Sequence, residues 1–113
     1  MTSTTVSKSE SIRALNDAFR RTLVGGMVMI TAGIEAMPVE RRRSLLAKVR
    51  AFDAFTEDND PHGEHDFGAI DESGVRHFWK LDYFDRATEM GSPDPADPAV
   101  TTRVLTIMRA DEY

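Results

Sequence analysis

The chain contains no cysteine. That excludes a disulfide, a thiolate nucleophile and any cysteine-ligated zinc or iron–sulfur centre, so a metal could be held only by oxygen or imidazole. Long apolar runs are also missing: none approaches the ~20 residues of a membrane span. The Ser/Thr-rich start, residues 1 to 11, has no apolar segment of the kind a secretory leader carries. A cytoplasmic protein with no membrane association is expected. Glycine (7) and proline (5) occur at ordinary levels, and there is no repeat or low-complexity tract. No serine or cysteine nucleophile motif such as Gly-x-Ser-x-Gly occurs.

What is present is the composition of an ordinary globular domain, with 113 residues, 41% apolar and 29% charged. This length suits one hydrophobic core. The expectation is a disordered N-terminus over residues 1–6 and a single α+β domain over residues 7–113. The net charge of −5 conceals a division. Residues 1 to 50 carry nine Lys or Arg against four Asp or Glu, whereas residues 51 to 113 carry five against fifteen. The simplest reading is that the two halves face and partly neutralise one another.

Ser7 and Glu10 have capping-box spacing ahead of Ile12, Leu15, Phe19 and Leu23, which predicts a helix over about 8–22 with Arg13, Asp17 and Arg20 away from the apolar stripe. Gly25-Gly26 is expected to close it. Met27 to Thr31 reads as a short buried strand. Pro38 suits the first turn of a second helix, expected from about Val39 to Phe55. His65–Asp71 and Val75–Phe84 read as a hairpin, joined at Asp71-Glu72-Ser73-Gly74 by a type I turn with glycine left-handed. Asp97-Pro98 has the form of a helix start, and Val100, Val104, Ile107 and Met108 recur at helical spacing. A helix to about Asp111 is preferred there, with a strand as the alternative. The predicted order is helix, strand, helix, strand, strand, helix, with a short, mainly antiparallel sheet packed by helices on one side.

The chemistry concentrates in Phe55–Gly68, which holds five carboxylates and two histidines. Asp58, Asp60 and His62 before Gly63 imitate the opening of a calcium loop, but position five is His62 and position twelve, where a bidentate Glu belongs, is Ala69. The metal alternative therefore draws on Asp58, Asp60, His62, Glu64, His65 and Asp66. The acid–base alternative uses His65 as base with Asp66 or Asp82 orienting it or serving as acid. The preferred reading is turn chemistry: Asp and Asn side chains binding their own loop, Phe55 and Phe67 anchoring its ends, and the guanidinium groups of Arg41 to Arg43 drawn close. No cofactor is expected.

Arg41, Arg42 and Arg43 form a basic band on the second helix, but successive helical residues are about 100° apart and the chain is acidic overall, so direct nucleic-acid binding is not expected. Trp79 and Tyr83 lie on one face of the hairpin and Phe78 and Phe84 on the other, one face for the core and one for a partner or the last helix. Candidate binding residues are Arg41, Arg42, Arg43, Asp58, Asp60, Glu64, Trp79 and Tyr83, and the expected partner is a protein. The sequence carries no indication of oligomeric state.

Four segments in order resemble a bacterial family of small proteins of unknown function: Asp58 to Gly68, Trp79 to Tyr83, Gly91 to Pro98, and Arg103 to Met108 continuing through Glu112-Tyr113. The resemblance covers about residues 12 to 113 and implies no established activity and no catalytic residues. It implies a setting on plasmids and other accessory DNA, where small proteins often bind host defence machinery. A non-enzymatic protein-binding module of inhibitor or accessory type is the resulting expectation. The alternative is a metal-dependent hydrolase or nuclease using residues 57–66.

Overall fold

In the computed structural model, which describes residues 6–113, three helices and four strands follow in the order α1 (Lys8–Thr22), β1 (Gly26–Ile30), α2 (Ala32–Glu35), α3 (Val39–Ala51), β2 (Phe67–Glu72), β3 (Val75–Phe84) and β4 (Thr102–Arg109). Single 3-10 turns at Pro98–Val100 and Ala110–Glu112 flank β4. The expectation of a disordered start falls mostly on residues 1–5, outside the described residues.

The strands form one sheet in the order β1-β4-β3-β2, with β1 parallel to β4 and the other two pairings antiparallel. This is the α+β class and the mainly antiparallel sheet that the pattern predicts. One expected element differs. The segment after Pro98 is strand β4, not a helix, and it occupies the centre of the sheet. The helix-start signals at Asp97-Pro98 are real, since Asp97 Oδ1 accepts from the Ala99 amide at 2.9 Å, but they open only one 3-10 turn. Thr102, Val104, Thr106 and Ile107 then favour extended backbone. Val104, Leu105, Ile107 and Met108 are all buried. A central strand is apolar on both faces, so its apolar positions match helical spacing by chance.

α1 begins as the spacing predicts, with the Glu10 amide donating to Ser7 Oγ at 3.1 Å. Its end differs: the left-handed residue is Leu23, whose N–H bonds the Phe19 carbonyl, rather than a glycine. Gly26 is needed for another reason, because a Cβ there would strike the Arg103 carbonyl and the Phe19 ring. α3 stops at Ala51, short of the expected Phe55. The chain turns extended at Phe52, whose amide closes a last turn on the Val49 carbonyl, and the Arg20 guanidinium caps this end by donating to the carbonyls of Val49 and Arg50 at 2.9 and 3.2 Å. In the hairpin, Glu72 pairs with Val75 and both Ser73 and Gly74 have positive φ (55° and 77°). That is a two-residue loop of the type I′ kind, not the longer type I turn expected, and its twist matches that of the flanking strands.

Alternation along β3 sends His77, Trp79 and Leu81 to the helical face, where Trp79 is fully buried. Trp79 and Leu81 meet Phe19 of α1, Ile34 of α2, Leu45 and Val49 of α3, and Leu105 and Ile107 of β4. Across the ladder from Trp79 is Gly68. The indole fills the space a side chain would occupy there, since a Cβ on Gly68 would overlap its ring. The opposite face carries Phe67, Phe78 and Tyr113 in an aromatic cluster, with ring centroids 5.1 to 6.0 Å apart. β1 departs from its expected burial, as all five of its residues are exposed. It lies at the edge of the sheet, where the helices border it without covering it. Gly68→Ala should lower unfolding free energy by about 1–3 kcal/mol, measured by urea denaturation; an unchanged midpoint would mean the indole is not seated on Gly68.

Candidate functional site

The acidic loop is ordered by its own side chains. Asn59 Oδ1 accepts from the Thr56 amide at 2.7 Å, and Asn59 Nδ2 donates to the Ala54 carbonyl at 2.9 Å. Asp60 Oδ1 accepts from the His65 amide at 3.2 Å, which holds His65 at φ 55°. The His65 ring then stacks on Phe55 at 3.7 Å between centroids, nearly parallel. Its Nδ1 lies 2.9 and 3.1 Å from the two oxygens of Asp17, and its Nε2 lies 3.6 Å from Asp60.

Asp17 leads to Arg20, whose Nη2 donates to it at 3.1 Å. Arg20 has no exposed surface, and its guanidinium lies 5.0 Å from the Trp79 ring centroid and 5.6 Å from that of Phe55. A charge removed from water needs acceptors and polarisable neighbours. Arg20 has two carbonyls, one carboxylate and two aromatic rings. Burial still lowers its pKa from the usual arginine value, and the bond to Asp17 opposes that shift.

A second chain of bonds runs through Asn16, also fully buried. Its Nδ2 donates to the Glu64 carbonyl at 3.0 Å and to the Tyr83 hydroxyl at 2.8 Å, while its Oδ1 accepts from Arg103 Nε at 2.8 Å. Tyr83 in turn donates to Glu64 Oε1 at 3.0 Å. Arg103 donates to the Pro95 carbonyl and lies 5.3 Å from the Tyr83 ring centroid. One amide thus joins α1, the acidic loop, β3, β4 and, through Arg103, the proline-rich connector. Burial, ahead of any bond, raises the Tyr83 pKa above the usual tyrosine range, and the Glu64 carboxylate adds to the rise. Burial likewise raises Asp66, with Glu64 and Asp60 contributing. The phenol is therefore a held donor and a poor nucleophile.

The candidate residues are distributed unevenly over this geometry. His65 is partnered by Asp17, not by Asp66 or Asp82. Asp82 sits 3.0 Å from Lys80, and alternation along β3 turns both away from the helical face on which His65 lies. Asp60 and Glu64 enter the network, while Asp58 and His62 are exposed. Among the described residues, no group of three or more His, Asp or Glu side chains has a metal-holding arrangement. Trp79 belongs to the core and Tyr83 to the network. Arg41, Arg42 and Arg43 form no ion pair among the described residues; the loop is met instead from α1, by Arg13 donating to the Gly63 carbonyl at 3.4 Å as well as by Asn16. Neither Asn16 nor the burial of Arg20 was anticipated from the sequence: Asn16 falls in step with Ile12, Phe19 and Leu23, a signal that could have found it, whereas Arg20 is buried despite its expected place on the polar side.

The open ground lies elsewhere. A groove of about 320 Å³ runs between β1 and α3, lined by Val28, Ile30, Ile34, Val39, Leu45, Leu46 and Ile107, with Arg42 and Arg43 beside them. A second hollow of about 280 Å³ holds Arg41, Glu72, His77 and Arg109. Neither is lined by a residue of the acidic loop.

Fold and polar centre together define a small α+β domain whose charged residues are spent largely on internal order. The chain belongs to the family described as "Protein of unknown function (DUF3768)", whose model matches residues 30–112, from the last residue of β1 through the turn after β4. No curated protein and no solved structure matches it. No helix among the described residues is long and apolar enough to cross a membrane.

Two outcomes follow for the polar centre. Asn16→Ala should cost about 2–3 kcal/mol of stability by stranding Arg103 and Tyr83, whereas Asp58→Ala should stay within about 0.5 kcal/mol; equal effects in denaturant titrations would remove the distinction. The second concerns pH. An unfolded tyrosine gives up its proton near pH 10, and the folded chain holds that of Tyr83 longer. Its stabilisation is complete below about pH 10 and is lost as pH rises further. Melting temperature should therefore fall less steeply above pH 10 in Tyr83→Phe than in the wild type.

Proposed function

We propose that this protein is a non-enzymatic protein-binding module, of inhibitor or accessory type, that docks through the outer edge of β1. The observation that carries this reading is the exposure of Met27, Val28, Met29 and Ile30 at 41 to 53% along one edge strand. Edge strands in proteins that stay alone are usually guarded by a lysine, a proline, a bulge or a covering loop. Gly26–Ile30 has no charged residue and no proline. An exposed apolar edge of this kind suits strand addition by another chain.

The narrower reading, that the partner belongs to host or phage defence machinery, rests on the genomic setting that the sequence resemblance implies. The competing reading, a metal-dependent hydrolase or nuclease at residues 57–66, draws on the contact of His65 with Asp17 and Asp60. Affinity capture followed by mass spectrometry separates them. A partner should be retained by the wild type and by Asp58→Ala but lost from Ile30→Lys, and equal recovery on Ile30→Lys would remove β1 as the interface. Nucleic-acid hydrolysis in Mg²⁺ or Mn²⁺ that disappears in His65→Ala would instead establish the enzyme.

A further inference from the structure

Building on the binding-module reading, we infer that the groove between β1 and α3 takes an extended acidic segment of a protein partner, added as a fifth strand beside β1. The backbone supplies the first half of the argument. The Thr31 amide donates to the Ile107 carbonyl of β4 at 3.2 Å. In a parallel ladder the N–H and C=O of one residue point the same way and successive residues alternate, so Met27 and Met29 also turn their peptide groups to β4. Gly26, Val28 and Ile30 therefore direct theirs outward, where no partner exists among the described residues.

Side chains supply the second half. Val28 and Ile30 pair across the ladder with Leu105 and Ile107, which places them on the helical face. Opposite them on α3 stand Val39, Arg42, Arg43 and Leu46, at the i, i+3, i+4, i+7 spacing of one helical face. A strand laid along β1 would send every second side chain into this groove, against Val28, Ile30, Val39 and Leu46. Arg42 is half-buried there, and its Nε is shielded from solvent without a hydrogen-bond acceptor. Arg20 Nε and Trp79 Nε1 lack an acceptor too, but in the closed core, whereas Arg42 borders an open groove where an incoming carboxylate can reach it. None of the lining residues is acidic. An Asp or Glu on the incoming strand, two positions from an aliphatic residue, would supply the acceptor for Arg42 and a counter-charge for Arg43.

The same charges argue against a second copy of this chain as the occupant. Antiparallel pairing of β1 with itself across a two-fold axis would keep both α3 helices on one side of the joined sheet. Both Arg42–Arg43 pairs would then approach the same seam without a carboxylate in either groove.

The test uses a phage-displayed library of random 12-residue peptides selected against the full chain, followed by fluorescence anisotropy with the synthesised, fluorescein-labelled winner. Selected sequences should alternate aliphatic and acidic residues. Affinity should fall by about tenfold or more in Arg42→Glu/Arg43→Glu, and likewise in Val28→Pro, which removes an outward N–H while leaving the bonds to β4 intact. Circular dichroism checks that both variants fold, and the arginine variant decides if the proline variant does not. Winners without acidic residues, or affinity indifferent to charge reversal at Arg42 and Arg43, would overturn the acidic assignment while leaving a binding module. Failure to select any peptide that depends on Arg42 and Arg43 would overturn the inference even if Ile30→Lys abolishes capture of a natural partner. A concentration-dependent dimer in sedimentation, abolished by Val28→Pro, would assign the edge to a second copy instead.

Discussion

Two arginines almost wholly removed from water, Arg20 and Arg103, govern how this chain is put together. A guanidinium cannot be neutralised at ordinary pH, so burying one obliges the fold to surround it with acceptors. Arg20 takes the last carbonyls of α3, the carboxylate of Asp17 and the faces of Phe55 and Trp79. Arg103 takes Asn16, the Pro95 carbonyl and the face of Tyr83. Each arginine therefore holds segments far apart in sequence, and α1 is the hub of both sets of bonds.

Only part of the charge division along the sequence is met by contacts between the two halves. Lys8–Asp94 and Lys48–Glu72 cross between them, while Arg76–Asp71, Lys80–Asp82 and Arg109–Asp111 pair within the second. Arg13 also reaches the Gly63 carbonyl, and Lys48 the Glu72 carboxylate, across the two halves. Lys48 and Ser44 hold the Glu72 carboxyl below the usual carboxylate range, so α3 is also pinned to the turn end of β2. The acidic loop is a joint in this framework. Its carboxylates point to different partners: Asp60 to His65, Glu64 to Tyr83, and Asp58 to solvent. Convergence on an ion would require these bonds to be given up.

Local signals in the sequence were read accurately where one mechanism decided the outcome. The Ser7 cap fixes the start of α1, and alternation over Val75–Phe84 gives the strand and sorts its residues into two faces, while which face meets the helices is decided only in the fold. Legibility failed where tertiary contacts competed with local pattern. Residues 98–111 carry a helix cap and helical spacing, yet position between β1 and β3 makes them a central strand apolar on both faces. Residues 52–55 continue the helical pattern of α3, but the chain turns extended at Phe52, where Arg20 from another helix caps the carbonyls of Val49 and Arg50. The exposure of β1 left no mark at all, because a run such as Met27–Ile30 reads the same at the centre of a sheet as at its edge. For the polar centre, His65 was found and its partner Asp17 was not, since 48 residues separate them and only the fold closes that distance.

The open groove goes with the way α3 is held. Arg20 grips the C-terminal carbonyls of α3, and Lys48 and Ser44 tie its middle to Glu72, so the helix is drawn towards β2 and β3. Leu45 and Val49 then fill the core over Trp79, and the face bearing Val39, Arg42, Arg43 and Leu46 is left overlooking β1 without covering it. A helix shifted to shield Val28 and Ile30 would lose the bonds that order the acidic loop and the hairpin. The interactions that make the centre rigid thus hold the edge open, with its outward peptide groups and the unmatched Arg42 in fixed relation. A partner strand meeting that edge would find a site that needs little rearrangement, which limits the ordering cost of binding on this side of the interface.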